Sequence, residues 1–430
     1  MKHIAIDSAR QSGISEPDCR VPDLSALIRP GDTVMWGQSH AEPVKLMRAL
    51  VEQRHRFQRI RIFLGIGRTE VLEPEHASEF EFLAYCGSGS NRKLARAGVL
   101  DILPIHYSQL PALIATEALR IDVVMLQVSP PDEHGRYSLG LAREYLVEAV
   151  AHARVIIVEV NPNVPWTYGG PYLLESAIDL LVHSDQTFED APAAPPGAVE
   201  SSIGKHVASL VNDGMTLQTG IGAIPDAVLS HLHDKRDLGV HSGSIGDGFA
   251  ALCEAGVVTN SRKKIDAGVT VGGVIIGSER VRHWAHRNRA LELRGTEYTH
   301  SPAVLGRIDG FAAINSAVEV DLTGQINAEM VADTYVGAVG GVADFLRAAH
   351  ASHGGMPIVA LPSTAGAHSR IVSRLSGPVT VPRSDGCVIV TEYGIADLRG
   401  LSLAQRIPRM IAIAHPEYRE RLERDAGRFR

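Results

Sequence analysis

Met215-Thr216-Leu217-Gln218-Thr219-Gly220-Ile221-Gly222-Ala223-Ile224-Pro225-Asp226-Ala227-Val228 reads as a short apolar strand, a glycine-bearing loop and the opening of a helix. The small loop residues allow a sharp turn, and proline is favoured in a first helical turn because its missing N–H has no partner there anyway. The same order recurs at Gly31-Asp32-Thr33-Val34-Met35-Trp36-Gly37-Gln38, which runs into a helix started by Pro43. Further buried strands are predicted at Arg61–Leu64, Val123–Gln127, Val155–Val160, Leu238–His241, Phe311–Ile314, Ile358–Leu361 and Cys387–Val390. Helix-like segments lie between them at Glu42–Gln53, Arg143–His152, Ala223–His233 and Gly341–Ala349. Near-continuous apolar strands with amphipathic crossovers predict an α/β fold with mainly parallel sheets covered on both faces.

The composition breaks at Glu189-Asp190-Ala191-Pro192-Ala193-Ala194-Pro195-Pro196-Gly197, a proline-rich, apolar-poor stretch. It reads as a linker over 189–198 between two related domains, 1–188 and 199–430. A chain of 430 residues is too long for one compact core. Its net charge of −7, with no Lys/Arg block, argues against a nucleic-acid binder. Cys19, Cys86, Cys253 and Cys387 are scattered, with no CxxC pair, so neither a disulfide framework nor a zinc site is expected. No signal peptide or long apolar run is visible. The expectation is a cytoplasmic protein without metal, membrane or nucleic-acid partners.

Several segments combine turn geometry with polar chemistry. Tyr335-Val336-Gly337-Ala338-Val339-Gly340-Gly341-Val342 is a second glycine-rich strand-to-helix passage, whose backbone N–H groups are suited to an oxyanion; the plain alternative is a turn. Thr391-Glu392-Tyr393-Gly394 follows an apolar strand, and Glu392 stands where ligands bind parallel sheets; a local Glu–Arg pair is the alternative. Asn315 ends a strand within reach of a carbonyl oxygen, while Glu319 and Asp321 read as solvated strand-face residues. His241 is either a base or a satisfied buried group.

Taken in order, LQTGIGAIPDAVL (217–229), GVHSGSIGDGFAALCEAGVVTN (239–260), INSAVEVDLTGQINAE (314–329), GAVGGVADF (337–345) and TEYGIADLRG (391–400) resemble the acetyl-CoA hydrolase/transferase family, the group of the 4-hydroxybutyrate CoA-transferases. Trp36-Gly37-Gln38-Ser39-His40-Ala41-Glu42-Pro43 and Gly87-Ser88-Gly89-Ser90-Asn91-Arg92-Lys93-Leu94-Ala95 add to it in the first half. The resemblance implies two CoA-transferase-type (NagB/RpiA-like) domains with an active site between them. It implies acyl-CoA and a small carboxylate as partners, coenzyme A as substrate, no permanent cofactor, and a homo-oligomer. It further implies CoA-side roles for Gln218, Gly220 and Gly222, an oxyanion role for Gly340 and Gly341, and a second active-site glutamate at Glu392; Asn315 is a catalytic candidate from its strand-end position alone. Met35, Gln38 and His241 are candidates for the substrate pocket, with core packing the alternative for Met35.

One position departs from the pattern. In the resembled family the residue after His-Ser is the glutamate that attacks the thioester; here it is Gly243. Three readings stay open: another carboxylate (Glu392, Glu70 or Glu42) takes over, water enters and the thioester is hydrolysed, or CoA esters are bound without turnover. If the pocket is otherwise intact, Gly243→Glu raises CoA transfer, measured as acceptor-dependent CoA exchange; an unchanged inactive variant argues against an intact pocket.

Overall fold

The computed structural model describes residues 22–190 and 195–427; Cys19 and linker residues 191–194 fall outside them. The first half forms one seven-stranded, all-parallel sheet. Its strands are β1 (Thr33–Trp36), β2 (Ile60–Leu64), β3 (Phe80–Ala84), β4 (Leu100–Ile102), β5 (Val123–Val128), β6 (Val155–Val160) and β7 (Leu180–His183), in the order β4-β3-β2-β1-β5-β6-β7. The second half forms a six-stranded sheet from β8 (Thr216–Thr219), β9 (Gly239–Val240), β10 (Phe311–Ser316), β11 (Met356–Ala360), β12 (Val388–Thr391) and β13 (Gly394–Asp397), in the order β9-β8-β10-β11-β12-β13. Only β13 runs antiparallel in this second sheet. In both halves the first strand lies inside the sheet and the chain later builds on its other side. This places a topological switch point beside β1 and another beside β8, where α/β sheets bind ligands.

Strand alternation sorts the side chains into layers. On β1, Val34 and Trp36 join a cluster confined to the first half, while Met35 points to the opposite face. On β10, Phe311 and Ala313 pack within the second half, and Ala312 and Ile314 face the other way. The faces carrying Met35 and Ile314 belong to one continuous apolar cluster that runs through both halves. A fully buried Val, Leu or Ile side chain contributes about 1.5–3 kcal/mol, so this shared core binds the halves firmly.

Backbone hydrogen bonds stitch the same boundary. Ile275 N–H donates to Leu141 O at 2.8 Å, Arg143 N–H to Gly273 O at 2.9 Å, and Thr296 N–H to Glu144 O at 3.2 Å. Leu293 N–H donates to Tyr168 O at 2.9 Å, and Arg287 N–H to Trp166 O at 2.8 Å. Beside this seam Asp190 is anchored: the buried Arg282 guanidinium grips both of its oxygens at 2.9 Å. In a third contact zone, Gly87 N–H donates to Gly337 O at 3.0 Å.

Three strands, β3, β4 and β7, and the returning β13 are absent from the sequence expectation. Phe80-Glu81-Phe82-Leu83 alternates instead of running apolar, because Glu81 pairs with Arg59 and Arg61 at the surface. Glu319 and Asp321 are buried, contrary to expectation. Each carboxylate is satisfied locally, Glu319 by Ser376, Gly377 and Asn327 and Asp321 by Thr323 and Gln325.

Gly169 lies at the seam with φ +118°, and a Cβ there would overlap the carbonyl oxygen of Leu293. Gly169→Ala is expected to cost about 2 kcal/mol or more by combining a strained φ with that overlap. Guanidinium unfolding measures it, and a loss below about 0.5 kcal/mol would show that the seam tolerates separation.

Candidate active site

Gly243 follows β9 and is pinned through its carbonyl oxygen, which accepts from Gly273 N–H and Val274 N–H, both at 3.0 Å. A Cβ at position 243 would stand 3.0 Å from Cε1 and 3.2 Å from Nε2 of His300. A Cβ at Gly341 would stand 2.7 Å from the same Nε2. One imidazole therefore lies against both glycines, and neither can carry a side chain without moving it. His300 packs between Tyr107 and Phe345, with ring centroids 4.8 and 4.5 Å away, and its Nδ1 lies 2.9 Å from Thr299 Oγ1. Burial, and then nearby His241, hold its protonation down to about 3, so the ring is neutral at physiological pH.

The loop holding Gly341 is fastened from the first half. Tyr107 N–H donates to Gly340 O at 2.9 Å, and the Ser108 hydroxyl donates to Asp344 Oδ1 at 2.8 Å. Gly341 caps the helix Val342–Ala351, whose first N–H groups have no intrahelical partners and carry the positive end of the helix dipole. The Gly220–Gly222 loop adjoins Gly243 from the other side, because the Ser242 hydroxyl donates to Thr219 O at 3.0 Å. A Cβ at Gly220 or Gly222 would meet nothing within 4 Å, and Ile221 is exposed, so this loop is open. Gln218 and Asn315 face each other across β8 and β10 through reciprocal side-chain amide bonds of 3.1 and 3.4 Å.

Behind this glycine wall sits a carboxylate that the sequence did not flag. Glu144 belongs to the seam, adopts the left-handed φ of 36°, and is 3% exposed. Gln38 Nε2 donates to both of its oxygens, at 2.7 and 2.8 Å, and the Tyr107 hydroxyl also bonds to it. Gln38 is itself fixed, its Oε1 accepting from the Tyr85 hydroxyl at 2.6 Å and Ile66 N–H at 2.9 Å. Burial raises the Glu144 carboxyl to about 7, against the opposing pull of the Gln38 and Tyr107 hydrogen bonds. Its proximity to Arg143 in sequence suggests only the first turn of a helix, and nothing local signals burial. The helix in fact starts at Leu146, after the seam.

The other expected carboxylates do not reach Gly243. Glu392 follows β12, four strand spacings from β9, on the order of 19 Å at about 4.8 Å per strand. Its oxygens accept from Ser363 N–H at 2.8 Å and the Ser363 hydroxyl at 2.5 Å, so it closes a loop. Glu70 has a 70% exposed side chain paired with Lys93. Glu42 accepts from Arg68 and Thr69 N–H and lines a cavity of about 540 Å³ with His40, Arg48, Arg68 and Gln127, a cavity that includes neither Gly243 nor Gly341. His241 is fully buried, its Nε2 3.2 Å from Thr299 O, and burial lowers its pKa to about 3, so the ring is neutral. Met35 is core. Among the described residues no group of three or more His, Cys, Asp or Glu is placed to hold a metal, and no helix is long and apolar enough to cross a membrane.

Family models for the N-terminal and C-terminal domains of acetyl-CoA hydrolase/transferase match residues 20–186 and 277–426. The chain belongs to the acetyl-CoA hydrolase/transferase family. It is 37% identical over 395 residues to the 4-hydroxybutyrate coenzyme A transferase of Clostridium kluyveri, covering 90% of this chain and 92% of that one. It is 33% identical to the succinyl-CoA:cyclohexane-1-carboxylate CoA transferase of Geobacter metallireducens, covering 96% and 95%. The crystal structure of RipA from Yersinia pestis superposes with a TM-score of 0.88 at 34% identity, covering 94% and 96%. Proteins named acetyl-CoA hydrolase are more distant relatives, at 24–28% identity. Gly243 and the Gln218–Gly222 loop lie between the two matched stretches of the family models.

His300 bears on Gly243→Glu: a Cβ at 243 stands 3.0 Å from its Cε1, so the imidazole must give by a few tenths of an ångström to admit the new side chain. The raised Glu144 carboxyl also has a stability signature. The native state holds its proton between about pH 4.5 and 7 while the unfolded chain releases it, so folding stability falls as pH rises through that window. Glu144→Gln is expected to remove a share of that fall on the order of 3 kcal/mol. Denaturant unfolding at pH 5 and pH 8 measures it; an unchanged pH dependence would mean that Glu144 titrates normally.

Proposed function

We infer that this family member transfers coenzyme A between a short acyl-CoA and a carboxylic acid, binding the thioester where the two halves meet at Gly243 and Gly341. The observation that carries this reading is the convergence of those two glycines, nearly a hundred residues apart in sequence, on one neutral histidine beneath a helix N-terminus. A tetrahedral thioester adduct needs donors for its oxyanion, and the Gly340–Gly341 passage opens a helix whose free N–H groups suit that charge. The open Gly220–Gly222 loop leaves room for a pantetheine chain to approach the backbone, with Gln218 and Asn315 bracing the strands beneath it. The relatives named as CoA transferases support the reaction class. Coenzyme A enters as a substrate, and no resident cofactor is required. The linker 189–198 divides the catalytic unit into domains 1–188 and 199–430, each contributing one wall.

Hydrolysis is the second reading, favoured by the relatives named acetyl-CoA hydrolase and by the absence of a nucleophile at Gly243. Incubating the purified protein with acetyl-CoA or butyryl-CoA and a panel of short carboxylates separates the two. Transfer predicts formation of the new acyl-CoA at least about tenfold faster than acceptor-free thiol release. Equal thiol release with and without acceptor would replace transfer by hydrolysis.

A further inference from the structure

We propose that Glu144 is the carboxylate that carries the acyl group and then coenzyme A in this chain. This rests on the transfer reading above. The geometry begins at Gly273. A Cβ there would stand 2.9 Å from Gly243 O and 3.1 Å from Glu144 Cγ. Both atoms therefore lie within 3.1 Å of one point, and the Glu144 stem is less than twice that distance from the Gly243 carbonyl. Gly273 has no side chain to stand between them. The Glu144 stem, from the opposite domain, thus lies beside the Gly243 backbone, while its carboxylate reaches on to Gln38.

The surroundings also suit the task. A carboxylate offers about four acceptor sites, and the bonds from Gln38 and Tyr107 meet only part of that capacity. The neighbouring phenols of Tyr85, Tyr107 and Tyr145 are pushed well above their usual range by burial and by Glu144 itself. They remain protonated and neutral, so Glu144 is the one acid of this cluster that ionises near neutrality. His300 shares Tyr107 with it, packing on the ring whose hydroxyl reaches Glu144. The competing carboxylates are engaged elsewhere, Glu392 by Ser363, Glu70 by Lys93 and Glu42 by the Arg68 and Thr69 N–H groups.

The chemistry balances without an added reagent. A Glu144 oxygen attacks the thioester carbonyl carbon, the C–S bond breaks, and CoA leaves as thiolate, giving an acyl–glutamyl anhydride. The thiolate then attacks the glutamyl carbonyl. The donor carboxylate departs with the anhydride oxygen and leaves a glutamyl–CoA thioester. The acceptor carboxylate runs these two steps in reverse, regenerating Glu144. Splitting one exchange into two acyl transfers conserves the thioester's free energy.

The experiment uses the unmodified protein first. It is mixed with acyl-CoA, quenched with borohydride, which reduces a glutamyl thioester to the alcohol, and mapped by peptide mass spectrometry. The expected result is reduction at Glu144, lost when acyl-CoA is omitted. Reduction at Glu392, Glu42 or Glu70, or transfer that proceeds with no reduced glutamate, would overturn the assignment. Glu144→Gln preserves size and is expected to lower the transfer kcat on the order of 10³-fold or more, while CoA affinity by calorimetry stays within a few-fold. A Glu144→Gln protein that binds CoA and transfers normally sinks the proposal independently of the label. Absence of acceptor-dependent transfer in the unmodified protein overturns the transfer reading itself, a separate outcome.

Discussion

The backbone register between Leu141–Glu144 and Gly273–Thr296 is the constraint on which the rest of the molecule depends. Three of its hydrogen bonds involve consecutive parts of one short segment, so the segment cannot slide without losing all of them. That rigidity holds Glu144 at a positive φ and delivers its carboxylate to Gln38. It also holds Gly273 and Val274, whose N–H groups fix Gly243. One seam thus sets both Gly243 and the buried acid behind it.

Burial of that acid is costly. Raising a glutamate to about 7 corresponds to about 3 kcal/mol against its charged form, and the Gln38 and Tyr107 hydrogen bonds offset part of a larger desolvation term. Buried acids with raised pKa values cluster at functional sites, and this one lies in a wall where Gly243, Gly273 and Gly341 expose backbone instead of side chains. The neutral His300 fills the space against two of those glycines. An uncharged ring occupies the space against Gly243, and the Glu144 carboxylate lies across the domain boundary.

The switch points of the two sheets explain why these groups meet. Gln38 follows β1, and the Gly220–Gly222 loop follows β8, the strands beside which each sheet changes direction. Crevices open at such points because neighbouring connections leave on opposite faces. Packing the two halves over one shared apolar cluster brings the seam and the C-terminal ends of both strands together. Family membership places this architecture among CoA transferases and hydrolases, whose reactions share attack on a thioester carbonyl.

Much of this was legible in the amino-acid order. Apolar runs such as Val155–Val160 declare buried parallel strands, since their burial is complete on both faces. The Gly220–Gly222 and Gly340–Gly341 turns declare strand-to-helix passages, because few other residues make them. The unusual Gly243 was visible at once. What the order could not supply was distance across the fold. Glu392 looked well placed because it ends a strand, yet strand order, which sequence does not encode locally, sets it four strands from Gly243. Glu144 and His300 carried no local signal, since their significance comes from contacts with residues at positions 38, 107, 243 and 341. Sequence by itself determined the α/β elements, their glycine turns and the family; only the tertiary structure decided which acid lies beside Gly243, because burial and proximity are created when two sheets close on one core.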